Sequence, residues 1–260
     1  MIILQTIIHR PYVFAFLIAF LILGRIHFGW RKTFLWLVIG YVVAWASEVS
    51  SIHNGFPYGL YHYIYENMPG ELMIMGVPFW DSLSYPFMIF AGYTTAQFLC
   101  GNSKSQIPNP SSRTYALTHL RTAFLGAFLT MLLDVIIDPL TVRGDQWFLG
   151  NIYYYPNGGQ YFGVPITNFL GWFLVPLLTI LIFQFINRND PNIETYKPIS
   201  LATFLNPLFY LSIALFNIAI TVYINEPLIV AIDSFILIPV VGLIMWRIRK
   251  LRLDQNDLKF

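Results

Sequence analysis

The chain has 260 residues, of which 57% are hydrophobic, 18% aromatic and only 11% charged, against roughly 25% charged residues in an average soluble domain. Fifteen basic and 13 acidic side chains are too few to cover the surface of a soluble fold of this length, which excludes an ordinary soluble enzyme and makes the bilayer the solvent. One cysteine, Cys100, excludes a disulfide framework and a Cys-based metal cluster. The basic residues sit in short loops and a tail, which leaves no nucleic-acid signature.

A helix needs about 20 mostly apolar residues to cross the hydrocarbon core. Seven such runs follow one another, at roughly 11–27, 33–52, 79–99, 118–138, 164–186, 202–224 and 228–246. The first is preceded by Ile8-His9-Arg10-Pro11 and carries no small-residue cleavage site, so it reads as a retained helix rather than a signal peptide. The expectation is an all-α polytopic membrane helix bundle of about seven transmembrane helices. It forms a single domain over residues 1–260, with a basic cytoplasmic tail at 247–260.

Charge placement gives the orientation, because cytoplasmic loops collect Lys and Arg. With the N-terminus outside, the inner side holds Arg25, Arg31, Lys32, Lys104, Arg113, Arg121, Arg188, Lys197, Arg247, Arg249, Lys250, Arg252 and Lys259, and the outer side only Arg10 and Arg143. A multi-pass protein of the cell membrane is expected, N-terminus outside and C-terminus cytoplasmic. The acids run the other way: Glu48, Glu66, Glu71, Asp81, Asp134, Asp138, Asp145, Glu226 and Asp233 all fall in the outer half. Glu48, Asp81, Asp134, Asp138 and Asp233 lie within or at the outer ends of spans, with no cation opposite them except Arg143.

An internal repeat organises these positions. Gly76-Val77-Pro78-Phe79-Trp80-Asp81-Ser82-Leu83-Ser84-Tyr85 matches Gly163-Val164-Pro165-Ile166-Thr167-Asn168-Phe169-Leu170-Gly171-Trp172. Glu48 precedes the first GVP by 28 residues and Asp134 the second by 29. The unit of helix, carboxylate, aromatic loop, GVP and helix is thus used twice, as repeats 33–99 and 118–186 comprising spans two-three and four-five. Parallel copies of this kind are expected to share a site between them.

The carboxylates carry the chemistry. Each GVP proline suits a first helical turn, so Asp81 and Asn168 stand near helix N-termini, where a cap or dipole contact is the bland alternative to a role in the bundle interior. A lone carboxylate at membrane depth costs about 2.5–3.5 kcal/mol, which argues for use of Glu48, Asp134 and Asp138. Asp134 and Asp138 are spaced i, i+4 and project from one helix face; Asp138 before Pro139 could alternatively end its span. The loops add Tyr58, Tyr61, Trp147 and Tyr161, and the helix starts add Trp80 and Trp172. As aromatics they either anchor the protein at the interface or hold a cation or long polyene. His53 and His62 lack a third histidine nearby, so neither a metal nor a cofactor is expected. A magnesium-diphosphate site on Asp134 and Asp138 fails for want of Lys and Arg partners, which leaves an uncharged, lipid-soluble substrate.

Glu48, Gly55-Phe56-Pro57-Tyr58-Gly59-xx-Tyr61-x-Tyr63, Gly76-Val77-Pro78, Asp138-Pro139 and Gly163-Val164-Pro165-xx-Asn168-xx-Gly171-Trp172 together resemble the integral-membrane carotenoid biosynthesis proteins that include the gamma-carotene and bisanhydrobacterioruberin hydratases. The resemblance covers roughly residues 40–175. It implies addition of water across the terminal 1,2 double bond of an acyclic carotenoid end group, with a carotenoid, membrane lipids and other enzymes of the pathway as partners. On chemical grounds, Asp134, Asp138 or Glu48 protonates the alkene, aromatic faces stabilise the tertiary cation, and the remaining carboxylate with Asn168 orients the water. Asp81 joins them in the catalytic set; Tyr58, Tyr61, Trp80, Trp147, Tyr161 and Trp172 form the substrate-binding set. End-group cyclisation or isomerisation shares the protonation step. A proton-coupled transporter or lipid carrier and a purely structural partner are readings of other classes.

Overall fold

The computed structural model describes residues 2–101, 113–188 and 201–257. Lys104, Lys197 and Lys259, three of the expected inner-side cations, lie outside these residues. Eight α-helices are present among the described residues: α1 (Ile2–His9), α2 (Pro11–Phe28), α3 (Trp30–Asn54), α4 (Phe79–Cys100), α5 (Arg113–Thr141), α6 (Ile166–Ile186), α7 (Leu201–Tyr223) and α8 (Pro227–Asp257). The last seven stand at the seven apolar runs of the sequence, and α1 is an addition that those runs do not foretell. All but α4 of these seven are long and apolar enough to cross a membrane, which makes the chain a multi-pass membrane protein.

The composition of α4 has a physical explanation. Its 22 residues include Asp81, Ser82, Ser84, Thr94, Thr95 and Gln97, and every residue from Leu83 to Phe98 except Ser84 is buried. It packs against α2, α3, α5 and α7. Surrounded by protein rather than lipid, it has no need of an apolar surface. Gly92 and Gly126 let α4 and α5 approach closely: a methyl group at Gly92 would stand 2.6 Å from the Gly126 carbonyl oxygen.

The two GVP segments are built alike. Ile74 pairs with Val77 across Met75 (φ +52°) and Gly76 (φ +81°); Tyr161 pairs with Val164 across Phe162 (φ +53°) and Gly163 (φ +94°). Two successive positive φ angles make the tight reversal that a two-residue hairpin requires, which is why glycine holds the second place. The first turn joins the two-residue strands β2 (Met73–Ile74) and β3 (Val77–Pro78). Pro78 and Pro165 are extended and start α4 and α6. The two long loops are themselves tied together, since β1 (His62–Tyr63) pairs antiparallel with β4 (Tyr153–Tyr154), Tyr63 facing Tyr153.

The ends of the bundle differ. At the loop end, Arg10 reaches Glu71 and the Leu149 carbonyl, and Arg143 pairs with Glu226 at 2.9 Å. At the opposite end, His27 bridges Gln97 and Asn206, and Arg247 donates to the Phe98 carbonyl. The stretch expected as a tail continues α8 as far as Asp257, consistent with the helix-forming Arg, Lys and Leu residues that compose it.

Candidate active site

Four carboxylates and one amide converge at the loop end. Glu48 lies in the last turns of α3, Asp81 in the first turn of α4, Asp134 and Asp138 in the last turns of α5, and Asn168 at the start of α6. Glu48, Asp134, Asp138 and Asn168 are buried. Asp81 makes no helix-capping bond at the start of α4, whose N-cap is Pro78; it accepts the Tyr63 hydroxyl instead. Asp138 does not end its helix either, because α5 runs through Pro139 to Thr141.

The bonding within this group is uneven. The Asn168 amide nitrogen donates to Asp134 Oδ2 and to Asp138 Oδ2, both at 2.7 Å. Asp138 also accepts from Tyr153 (3.1 Å), Thr141 (3.2 Å) and Tyr155 (3.4 Å), so both its oxygens are engaged. Asp134 Oδ1 is buried and has no hydrogen-bond partner among the described residues. Glu48 accepts from Tyr85 on one oxygen and from Tyr63, at 3.3 Å, on the other. Burial pushes the loop hydroxyls of Tyr63, Tyr153 and Tyr155 well above the usual phenol range. Asp81 and Glu48 add to this at Tyr63, and Asp138 at the other two. Each therefore remains a protonated donor to its carboxylate.

Two cavities meet at this cluster. An apolar one of about 120 Å³ lies between α2, α4, α5 and α7 and is lined by Trp80, Trp147, Trp172 and Phe216, with Asp81, Asp134 and Asp138 on one side. A smaller, more polar one of about 50 Å³ is lined by Glu48, Tyr58, Tyr61, Tyr63, Tyr85 and Asn168, with room for about three waters. Asp81, Asp138, Tyr153 and Trp172 belong to both walls. Asp134 faces only the apolar cavity and Glu48 only the polar one.

Of the aromatics singled out from sequence, Trp80 and Trp147 line the apolar cavity, Tyr58 and Tyr61 the polar one, and Trp172 both. Tyr161 lines neither. Its hydroxyl is buried against the α8 side, pushed up to about 12 by burial and by Asp233. Asp233 is also outside both cavities. Arg143, the cation expected to face the acids, is committed to Glu226 and to the Pro139 and Phe162 carbonyls. Arg10 is the cation next to the site, with its guanidinium 4.6 Å from the Trp80 ring centroid.

Tyr85, Tyr63, Tyr153, Tyr155, Thr141, Arg10 and Glu71 were absent from the sequence-derived site. Tyr85 could have been found from the repeat itself, because it holds the same place in the first motif that Trp172 holds in the second. The two rings stack at 4.2 Å and 9°, so equivalent positions of the two motif copies touch at the centre of the site.

Comparison with known proteins agrees with the resemblance noted above. The chain is 28% identical over 155 residues to the bisanhydrobacterioruberin hydratase of Haloarcula japonica, a match that takes in 60% of this chain and 46% of that protein. The matched region is thus less than half of the relative's length. No solved structure matches. Residues 2–240 match the family described as carotenoid biosynthesis protein, and the chain belongs to that family.

Proposed function

We propose that this membrane protein is a carotenoid 1,2-hydratase, adding water to the terminal double bond of an acyclic carotenoid end group by cofactor-independent acid-base chemistry. The observation that carries this reading is the shared wall: carboxylates stand between an apolar cavity suited to an end group and a polar cavity suited to water. Alkene hydration needs an acid that reaches C2 and a water delivered to C1, and the two cavities supply a place for each.

The roles follow from which cavity each group faces. Asp134, with Oδ1 unpartnered at the apolar cavity, carries the proton and delivers it to C2, leaving a tertiary cation at C1. Trp172, Trp80 and Trp147 offer π faces to that cation, and the anionic form of Asp138, held by four donors, offsets its charge. A water from the polar cavity attacks C1 through oxygen, and its surplus proton passes to Asp138 or Glu48. The product is the tertiary alcohol. The base gives that proton up to the waters of the polar cavity, and Asp134 regains one from water admitted past Asp138, which lines both cavities, so no net proton is consumed. Tyr58 and Tyr61 shape the water side; Asn168 and Asp81 fix the carboxylates at the wall. The chain works as one unit, with repeats 33–99 and 118–186 enclosing the site, the loop end outside the cell membrane and residues 247–260 on the cytoplasmic side.

The test is pigment mass in a lycopene-producing host. A gain of one water per reacted end is expected. A product of unchanged mass with a ring would instead establish cyclisation, and no new pigment would overturn both. Transport by a carboxylate relay predicts acids spread through the membrane, whereas Glu48, Asp81, Asp134 and Asp138 sit in one cluster at one end.

A further inference from the structure

Behind the Trp80 wall of the apolar cavity lies a buried ion pair that the hydration chemistry does not itself use. Arg10, 2% exposed, donates to Glu71 through Nε at 3.2 Å and Nη2 at 2.8 Å, and to the Leu149 carbonyl through Nη1 at 2.6 Å. Its guanidinium stacks over Trp80 at 4.6 Å, and the Trp80 indole N–H donates back to Glu71. His9 Nδ1 approaches Glu71 at 3.7 Å from the exposed side. The guanidinium thus holds the start of α2, both loops and the start of α4. Trp80 and Leu149 are also walls of the cavity, which places a full positive charge directly behind the surface that would face a carbocation.

Taking the cationic intermediate of the proposed hydration as given, we infer that Glu71 is a positioning residue whose charge cancels Arg10 and so keeps this wall from opposing the cation. The fork of Arg10 ties four segments of chain through directional bonds, a geometry that apolar side chains of similar volume can replace only if both charges leave together. Its charge is a liability next to a cation, because like charges across a low-dielectric wall repel strongly. Glu71, bound to two of the guanidinium nitrogens and to the indole, resolves that conflict.

The test compares three variants with the wild type on lycopene in detergent-solubilised membranes, normalised to the amount of protein. Glu71→Gln keeps an acceptor for Trp80 and Arg10 but removes the charge; kcat should fall about tenfold or more with KM changed less than about twofold. Glu71→Asp should retain most of kcat. Arg10→Met/Glu71→Met removes both charges and should restore kcat to within about threefold of wild type, since a buried ion pair is replaceable by apolar residues of similar volume. Unchanged kcat in Glu71→Gln, or equal losses in all three variants, overturns the inference. Should Glu71→Gln fail to accumulate, the double variant still decides, because a role in geometry alone leaves it as inactive as any loss of the clasp. An inactive wild type would instead count against the hydration reading.

Discussion

The helix pairs that flank the site, α3–α4 and α5–α6, bring the same groups together in different ways. In the first pair the acids are on separate helices, Glu48 and Asp81, and a single tyrosine hydroxyl from the loop, Tyr63, reaches both. In the second the acids share one helix, Asp134 and Asp138, and the amide of Asn168 reaches both. A phenol has one proton to donate and an amide has two. Asn168 can therefore hold two carboxyl oxygens at once, whereas Tyr63 satisfies one of its acids at a time. The second pair is fixed, and its Asp134 faces only the apolar cavity; the first can exchange a proton, and its Glu48 faces only the polar one, while Asp81 and Asp138 line both. In the proposed hydration, Asp134 of the fixed pair protonates the alkene, and Glu48 of the exchangeable pair, with Asp138, takes up the proton of the attacking water.

That division is open to direct attack, and the largest effect is expected at Asp134. Asp134→Asn preserves shape and neutrality but has no acidic proton, so hydroxylated product per mole of protein should drop about 10³-fold, in line with the loss of a general acid. Unchanged product would move the acid elsewhere. Next is Asn168→Leu, which frees both carboxylates of the second pair. A loss of about 10²-fold is expected for removing a preorganised donor of this kind, against roughly tenfold for Tyr63→Phe, since Tyr85 still holds Glu48. Equal losses would erase the distinction between the pairs. Glu48→Gln should lower product about tenfold and raise the share of double-bond isomers of unchanged mass, because the cation still forms but captures water less efficiently. Mass analysis of the pigments reads both quantities.

Much of this was legible in the sequence, because bilayer physics leaves a coarse signature. Long apolar runs located seven helices, and the cost of a carboxylate at membrane depth singled out Glu48, Asp134 and Asp138. The GVP repeat put Asp81 and Asn168 near the starts of corresponding helices, one in each copy. What escaped was set by loop geometry. Tyr63 and Tyr153 meet the acids only because β1 pairs with β4, a contact between residues 90 apart that no local period encodes. Tyr161 looked equivalent to its neighbours, yet it packs on Phe162 and Phe169 and lines neither cavity. Arg10 was visible as an outer-side cation without an evident partner; its pairing with Glu71 spans 61 positions. The two-cavity arrangement required six helices, α2 to α7, and both loops at once.

The smallest predicted effect concerns the loop tyrosines and needs no substrate. Tyr63 serves the first pair, and Tyr153 and Tyr155 the second; all three are held well above the ordinary phenol value by burial and by their carboxylates. In the unfolded chain they ionise near pH 10. Below that pH both states keep their protons and the hydroxyls contribute their full stability. Above it the unfolded state releases protons that the native state retains, so stability falls as pH rises, by up to about 1.4 kcal/mol per pH unit for each such tyrosine. The apparent Tm in detergent should accordingly drop between pH 10 and 11 while remaining flat from 8 to 9. Each substitution by phenylalanine also lowers the plateau by the hydrogen bond it removes, but only the slope reports the titration. Tyr153→Phe/Tyr155→Phe should flatten the alkaline slope about twice as much as Tyr63→Phe, since the second pair draws on two loop phenols and the first on one. Equal flattening would mean that the two halves lean on their loops alike, and the contrast between a fixed and an exchangeable pair would then rest on Asn168 alone.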